Sequence, residues 1–409
     1  MSELEKFRKK ASAYRKALAQ QPQARSLELV PLVWFLNRYC RAVGKRKRSI
    51  KIVDLMSGTG YLSECLLDLG YTNLHAVEAC SEMCDDVRIF EDRVRLHKFT
   101  SIGQIEGILA EIRPDVIISV ASFHHLIEYD QTGAIIQKGE SIRLQSNVVS
   151  SCMRVLADDG LMLILDLIEE AAIESVSEPF YVSSRSCLND LLKLGVPKEP
   201  FQRLLLHCRS IHEISSQLFR AFGTTPNPRV SLRWFREVVD SNTSVGHKDV
   251  AISNELIESL GRFHPVVVHY YCPWLFSSRD ALVGFIFDKF GFSVDCPEDQ
   301  QAARKRIAIE QAERILGVRE KDGVAALGWN LGVVALGNKP PFAHDRKLRT
   351  LAASLSLVVG TLCVAIVLRF VSDTYISLTA KDLLLPMLTF SLGVILGHYV
   401  SDTSGAPDR

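Results

Sequence analysis

One short stretch constrains the fold of this chain more than any other. Residues 53–63 read VDLMSGTGYLS, and an acidic residue, Glu78, ends the next apolar run. The apolar residues predict a strand that ends at Asp54, and Gly58 and Gly60 predict a tight turn into a helix. Because glycine has no Cβ, such a turn lets backbone N–H groups approach a ligand closely. The stretch therefore predicts a ligand-binding strand, turn and helix.

The following hundred residues extend this pattern. Short apolar runs alternate with helical stretches, and the strand candidates are residues 50–55, 74–77, 94–96, 116–120 and 161–165. This alternation predicts an α/β fold with a parallel, doubly wound sheet, in which ligands bind beyond the carboxyl ends of the strands. Four polar residues stand at those predicted ends: Asp54, Glu78, Ser122 and Asp166. The predicted ligand site therefore lies along that edge of the sheet.

The surrounding residues narrow the kind of ligand. The turn has neither the GxxxxGK[ST] pattern of phosphate loops nor the GxGxxG pattern of dinucleotide-binding proteins. It resembles motif I of the class I S-adenosylmethionine (SAM)-dependent methyltransferases, with Met56 where that family usually has its first glycine. The resemblance continues through PDVIISVASFHHL at residues 114–126 and LADDGLMLILDL at residues 156–167, which look like the family's fourth and fifth strands. Residues 329–340 look like its antiparallel last strand.

This resemblance implies a Rossmann-like, seven-stranded sheet that binds SAM as its cofactor. Asp54 is expected near the methionine part of SAM, and Glu78 is expected to accept both ribose hydroxyls, since a carboxylate offers two acceptor oxygens. The expected cofactor-binding residues are Asp54, Met56, Ser57, Gly58, Gly60, Glu78, Ala79 and Ser122. A Rossmann-like sheet without a ligand remains the alternative.

The catalytic residues are predicted from the chemistry of methyl transfer. Few are needed, because the methyl carbon of SAM is already activated and the protein mainly aligns the reacting groups. A base helps if the acceptor is a hydroxyl or a protonated amine, and His124 or His125 is the first candidate. Asp166 and Tyr129 are further candidates, and a structural or pocket-lining role for either histidine stays open. No NPPY-type tetrad follows the fourth strand, which argues against an amide or nucleobase amine as the acceptor.

Composition limits the partners. The chain has 409 residues, enough for two or three domains, and its 48 basic and 47 acidic residues give a net charge of +1. This balance argues against nucleic acid as a partner. The ten cysteines form no CxxC pairs, and the histidines of residues 168–280 form no HExxH pattern, so no metal site is predicted.

The chain is predicted to contain five segments. They are a helical lead-in (1–49), the SAM-binding core (50–167), a mostly helical insertion that acts as a substrate lid (168–280), the completion of the core (281–340) and a membrane anchor (341–409). Within the insertion, HYYCPWLF at residues 269–276 is interpreted as lid core rather than as a binding platform. Residues 281–297 are expected to form a helix and a strand, and residues 299–316 a charged helix.

Two apolar stretches near the end of the chain predict the membrane anchor. Residues 350–368 and residues 383–401 each contain 19 consecutive uncharged residues. As helices they would span roughly 28 Å, which matches the ~30 Å hydrocarbon layer. They predict a transmembrane hairpin with helices at about 350–370 and 383–401, the alternative being a buried helical hairpin. Small residues at four-residue spacing would allow contact between the two helices or between the protomers of a homo-oligomer.

The function that the sequence predicts follows from these features. Basic residues before the first span favour a cytoplasmic side for the catalytic domain of a multi-pass membrane protein. The protein is predicted to be a membrane-anchored methyltransferase whose acceptor is a small, amphiphilic or lipid-like molecule. A SAM-binding membrane effector or sensor without turnover is the alternative.

Overall fold

A computed structural model describes most of the first 339 residues. The described residues are 3–22, 24–85, 87–126, 138–169, 172, 220, 230–243, 252–321 and 323–339. The chain divides into two compact units, Met1–Pro341 and Phe342–Arg409. The second unit lies outside the described residues, and so do the two predicted transmembrane helices. None of the described helices combines the length and apolarity that a membrane span requires.

The described part of the first unit is built around one eight-stranded sheet. Its strands are β1 (Lys51–Leu55), β2 (Asn73–Glu78), β3 (Arg95–Lys98), β4 (Val116–Val120), β5 (Leu161–Asp166), β6 (Val266–Phe276), β7 (Arg319–Lys321) and β8 (Val324–Leu336). Their order is β3-β2-β1-β4-β5-β8-β6, with β7 paired to β8. Strands β1 to β5 are parallel, whereas β8 is antiparallel to β5 and β6. The five strands predicted in residues 50–165 and the Rossmann-like, mixed α/β sheet are confirmed.

Helices cover this sheet and bury its apolar strands. They are α1 (Glu3–Gln20), α2 (Val30–Val43), α3 (Tyr61–Asp68), α4 (Ser81–Cys84), α5 (Arg88–Asp92), α6 (Ile105–Ile112), α7 (Lys138–Val155), α8 (Val230–Trp234), α9 (Asn254–Ser259), α10 (Arg279–Lys289) and α11 (Glu298–Ile315). One hydrophobic core joins α6, α7 and α9 to β1, β4 and β5. Helix α2 packs on β5 and β8, and α1 packs on α10. Because parallel strands are covered in this way, β5 is buried at all six positions and reads as a continuous apolar run.

The strand order positions a crevice between β1 and β4. The chain adds β2 and β3 on one side of β1, then crosses over and adds β4 and β5 on the other side. Right-handed connections that run in opposite directions place their helices on opposite faces of the sheet. The loops after β1 and β4 therefore separate at the carboxyl edge of the sheet, which is where ligands bind in folds of this kind.

The last strands differ from the sequence prediction. Residues 269–276, interpreted as lid core, belong to β6, which pairs along its full length with β8. The strand expected within residues 281–297 does not form, because α10 occupies the first part of this range and turns follow it. Strand β6 is hard to predict from the sequence because most of its residues are buried. It therefore lacks the alternation of apolar and polar residues that distinguishes a half-buried strand from a buried helix. The charged helix is confirmed as α11, and β7 adds an eighth strand to the seven expected.

The rest of the predicted insertion lies mostly outside the described residues. Its described part contains α8, which a π-helical turn over Phe235–Val239 continues, as well as α9 and β6. The lid interpretation of residues 168–280 stays a prediction for the remaining segments.

Candidate active site

A cavity of about 320 Å³ opens at the carboxyl edge of the sheet. This volume lies within the range of roughly 300–1,000 Å³ that is typical of small-molecule sites. The glycine-loop end of the cavity comprises Asp54, Met56, Ser57, Gly58 and Glu78. The aromatic end comprises Tyr14, Arg25, Trp274, Lys289, Phe290 and Trp329. His124, His125 and Asp166 line the same cavity.

The loop after β1 has a backbone that favours glycine. Met56 and Gly58 both adopt left-handed conformations, with φ angles of 57° and 54°. The N–H of Met56 donates to the carbonyl oxygen of Val77 at 2.8 Å, which ties the loop to β2. A side chain in this conformation costs roughly 1–2 kcal/mol. Met56 thus occupies a strained position, and a glycine there would be free of this cost.

Glu78 organises the loop through three backbone hydrogen bonds. Its Oε2 accepts the N–H of Gly58 at 2.6 Å, and its Oε1 accepts those of Ala79 at 2.9 Å and Cys80 at 2.8 Å. Burial raises the pKa of Glu78 above its ordinary value, and the three N–H groups oppose this rise. The buried carboxylate therefore fixes the turn between β1 and α3 from the neighbouring strand.

Asp54 at the end of β1 is the second buried carboxylate of the glycine-loop end. Its Oδ2 accepts the hydroxyl proton of Ser63 at 2.7 Å. Burial raises the pKa of Asp54 to about 7; the hydrogen bond from Ser63 opposes the rise and the charge of Glu78 adds to it. A positive charge beside Asp54 would favour its ionised form.

Two serines complete this end of the cavity. The Oγ of Ser122 donates to the carbonyl oxygen of Met56 at 3.0 Å and to that of Val120 at 2.8 Å, so Ser122 joins the loops that follow β1 and β4. The Oγ of Ser57 is buried and has no hydrogen-bond partner among the described residues. A buried hydroxyl of this kind needs a partner, which a bound ligand could supply.

Gly60 has a different role from Gly58. Gly60 is absent from the cavity lining, and a Cβ added to it would lie 2.7 Å from Cδ1 of Ile89 and 2.8 Å from Cζ of Phe90. A Cβ added to Gly58 would meet only Cε of Met83, at 3.5 Å. Gly60 therefore allows α5 to approach the loop, whereas Gly58 lies at the cavity surface.

His124 and Asp166 form a buried pair in the cavity wall. The Nδ1 of His124 lies 2.6 Å from Oδ1 of Asp166, and the backbone N–H of His124 donates to Oδ2 at 3.0 Å. Burial acts to raise the pKa of Asp166, but the charge and hydrogen bonds of His124, together with the N–H of Leu167, outweigh it and hold this pKa below its usual value. An ionised Asp166 makes Nδ1 the protonated nitrogen of a neutral His124, so Nε2 is its acceptor nitrogen.

His125 lies beside this pair in the same short turn. Its ring centroid is 3.8 Å from that of His124 and 4.4 Å from that of Phe7, which meets it edge-on. The structure thus brings both predicted histidines to the cavity, with Asp166 bonded to His124. Tyr129 lies outside the described residues.

The aromatic end was not predicted from the sequence. Its residues come from α1, from the segment before α2, from β6, from α10 and from β8, and their shared feature is a buried cationic centre surrounded by rings. Arg25 forms an ion pair with Glu28, whose Oε2 also accepts Nε1–H of Trp274 at 3.1 Å. Such long-range contacts leave no local sequence pattern. The charged residues Arg25 and Glu28, directly before the apolar residues 29–36, are a sequence feature that could have indicated buried charges here.

Metal ligation has no basis in the described residues. No group of three or more histidine, cysteine, aspartate or glutamate side chains among them could hold a metal ion. Of the histidines considered in the insertion, His264 is exposed and His269 is buried in a hydrogen bond with Asn330.

Comparison with known proteins gives structural likenesses only. No protein-family model matches the chain, and no curated protein matches its sequence. Among solved structures, it is similar to the YcgJ protein from Bacillus subtilis, at 11% identity and a TM-score of 0.35, over 74% of this chain and 99% of that one. It is also similar to the glycopeptide N-methyltransferase MtfA in complex with SAM, at 19% identity and a TM-score of 0.24, over 36% of this chain and 60% of that one.

A third similar structure is the plantazolicin methyltransferase BamL in complex with a triazolic desmethylPZN analogue and SAH. Its identity is 11% and its TM-score is 0.30, over 82% of this chain and 98% of that one. All three TM-scores are below 0.5.

Proposed function

We propose that this chain is a SAM-dependent methyltransferase that acts on a small molecule. The observation that carries the proposal is that one cavity contains both the Glu78-bound glycine loop and the His124–Asp166 pair. The loop suits an adenosyl cofactor, and the pair suits the removal of a proton from an acceptor. The motif I resemblance of residues 53–63 supports the same conclusion.

The glycine-loop end fits a cofactor with the polarity and charge of SAM. A carboxylate has about four acceptor positions, and backbone N–H groups use three of those of Glu78, which leaves one. Glu78 would therefore accept one ribose hydroxyl, whereas the motif I resemblance implies both. The buried hydroxyl of Ser57 would gain a partner from the cofactor. Asp54 would face a positively charged group, which would favour its ionised form.

The His124–Asp166 pair would act on the acceptor. Bound SAM supplies a methyl group that is activated by a positively charged sulfur. His124 is positioned to take a proton from an acceptor hydroxyl or ammonium group through Nε2. Asp166 holds the imidazole in the required tautomer and stabilises the imidazolium that forms, as a carboxylate does in other buried His–Asp pairs.

The finer parts of the proposal rest on the sequence. The acceptor is amphiphilic or lipid-like. Transmembrane helices at about 350–370 and 383–401 anchor the chain in a membrane, with the catalytic domain on the cytoplasmic side. These helices would also provide contacts for a homo-oligomer. A SAM-binding effector without turnover is the competing function.

A labelling experiment tests the proposal. The full-length chain is incubated with methyl-labelled SAM and separated lipid, protein and soluble-metabolite fractions, and we expect labelled product in the lipid or metabolite fraction. His124→Gln should lower the transfer rate by about 10²–10⁴-fold, because a general base contributes that much, with the affinity for SAH unchanged. His125→Gln is the matched control and should have a smaller effect, since Asp166 bonds to His124. SAM binding without transfer to any fraction would support the effector instead.

A further inference from the structure

Lys289 is a buried cation at the aromatic end of the cavity. It is the last residue of α10 and is only 9% exposed. Its Nζ lies 4.4 Å from the ring centroid of Tyr14, 5.4 Å from that of Trp274 and 5.8 Å from that of Phe290. The lysine therefore projects into an aromatic enclosure that lines the cavity.

The charges around Lys289 do not balance. Arg25 is paired with Glu28, which also accepts a hydrogen bond from Trp274, and the neighbouring Asp288 is paired with Lys16. No side chain in the described part of the chain forms an ion pair with Lys289. Burial and the charge of Arg25 hold the pKa of Lys289 well below its ordinary value, with Glu28 opposing them. An anion bound beside Lys289 would offset the cost of burying its charge.

Tyr14 supplies a second donor at the same place. Its hydroxyl oxygen accepts hydrogen bonds from Nη1 of Arg25 at 3.1 Å and from Nζ of Lys289 at 3.2 Å. Since these two bonds use both lone pairs of the oxygen, the hydroxyl proton is directed away from the cations. Lys289 and Tyr14 together can thus donate to the two oxygens of one carboxylate.

Aromatic rings connect this site to the proposed base. The ring centroid of Phe235 lies 6.1 Å from that of His124 and 5.7 Å from that of Phe290. The site also borders the glycine loop, since the guanidinium carbon of Arg25 lies 5.0 Å from the ring centroid of Tyr61. A molecule that fills the aromatic end therefore lies beside the proposed base, which is where the methyl acceptor must be.

We propose that Lys289 and Tyr14 bind a carboxylate of the methyl acceptor, and that Trp274 and Phe290 contact a flat, apolar part of the same molecule. The substrate class is an aromatic or similarly planar carboxylic acid. This inference rests on the proposed methyltransferase function. It adds that the expected amphiphilic acceptor carries an acidic group.

Matched acid and amide probes test the inference. Isothermal titration of the SAH-loaded, full-length chain is carried out with benzoate, 2-naphthoate and indole-3-acetate, each against its uncharged carboxamide. We expect at least one carboxylate to bind about tenfold more tightly than its amide, since hydrogen bonds to charged groups contribute that much. Lys289→Met should abolish this preference, Lys289→Arg should retain most of it, and Tyr14→Phe should weaken it.

The control variant is Lys305→Met. Lys305 is an exposed lysine whose Nζ lies 5.2 Å from the ring centroid of Phe287, and it does not line the cavity. Its substitution should leave the carboxylate preference unchanged. If Lys289→Met does not fold, Tyr14→Phe gives the same comparison with the ammonium group kept.

Three results would overturn the inference. They are a wild-type chain that prefers no carboxylate over its amide, a preference that survives Lys289→Met, and a loss of SAH affinity in Lys289→Met as large as the loss of carboxylate affinity. The last result would assign Lys289 to the amino-acid part of the cofactor and leave the proposed function intact. Failure of the proposed function would differ from all three, because the wild-type chain would then either not bind SAH or bind SAM without transferring its methyl group in the labelling experiment.

Discussion

The two ends of the cavity are held together in different ways. At the glycine-loop end, Glu78 binds the backbone of Gly58 only twenty residues away, and the longest contact described there joins Ser122 to Met56 over 66 residues. At the aromatic end, Lys289 and Tyr14 are separated by 275 residues, and Trp274 and Glu28 by 246. A local motif therefore builds the backbone cradle, whereas tertiary packing brings together the charges of the aromatic end.

The two ends also differ in the sign of their buried charge. The glycine-loop end holds two buried carboxylates, Asp54 and Glu78, and burial raises the pKa of both. The aromatic end holds two buried cations, Arg25 and Lys289. Of the buried carboxylates near them, Glu28 pairs with Arg25 and Asp288 pairs with Lys16. One cavity thus presents a negative end and a positive end, which suits a cationic cofactor beside an anionic acceptor.

The largest effect should come from removing Glu78. Glu78→Ala deletes the acceptor of three backbone N–H groups and of the proposed ribose hydroxyl, so we expect SAH affinity to fall about 100-fold or more in calorimetric titrations. Glu78→Gln keeps the shape but not the charge, and should lose less. Carboxylate probes should still bind to Glu78→Ala, because Lys289 and Tyr14 are unchanged.

The control for this prediction is Glu82→Ala. Glu82 is an exposed glutamate on α4 that forms an ion pair with Arg8, so its loss should leave SAH affinity unchanged. Equal effects of the two substitutions would show that Glu78 contributes through overall charge rather than as a hydrogen-bond acceptor.

The same difference between local and long-range contacts explains how much the sequence could predict. The glycine loop, Glu78 and the five parallel strands lie within one continuous region whose periodicity and turn residues identify them. A glycine that packs against a helix and a glycine that contacts a ligand look the same in the sequence. The pattern therefore could not predict that Gly60 packs against α5 whereas Gly58 lines the cavity. Tyr14 and Lys289 meet only because α1 packs on α10, which no local pattern encodes.

A pair of glycine substitutions separates packing from ligand contact at the glycine-loop end. Gly58 and Gly60 both have positive φ angles, 54° and 76°, so alanine adds similar backbone strain at each. The close approach to Ile89 and Phe90 adds a steric cost at Gly60 only. We expect Gly60→Ala to lower the free energy of unfolding by about 1 kcal/mol more than Gly58→Ala in urea titrations.

SAH affinity should show the opposite order. Gly58 lines the cavity and donates to Glu78, so Gly58→Ala should weaken SAH binding more than Gly60→Ala does. Parallel losses of stability and affinity in both variants would mean that the two glycines share one role.

The smallest effect concerns two buried groups on β1 and β2 whose titrations oppose each other. His75 lies with its Nδ1 3.0 Å from Nε2 of His97, and burial, with a further contribution from His97, lowers the pKa of His75 to about 4. Between these two pKa values the unfolded chain binds more protons at His75 than the folded chain does. The contribution of His75 to stability is therefore lost as the pH falls from about 6.5 towards 4. Asp54, with its pKa raised to about 7, has the reverse sign and stabilises the fold as the pH falls from about 7 towards 4.

These two contributions should largely cancel in the wild-type chain between pH 7 and pH 5, and His75→Gln should remove only one of them. The free energy of unfolding of this variant should therefore rise, relative to the wild type, by about 1–2 kcal/mol as the pH falls from 7 to 5, measured by urea titration at each pH. His264→Gln, at an exposed histidine, should follow the wild-type profile. A His75→Gln profile parallel to that of the wild type would mean that His75 titrates alike in the folded and unfolded chains, because only a difference in bound protons between these two states can produce the predicted slope.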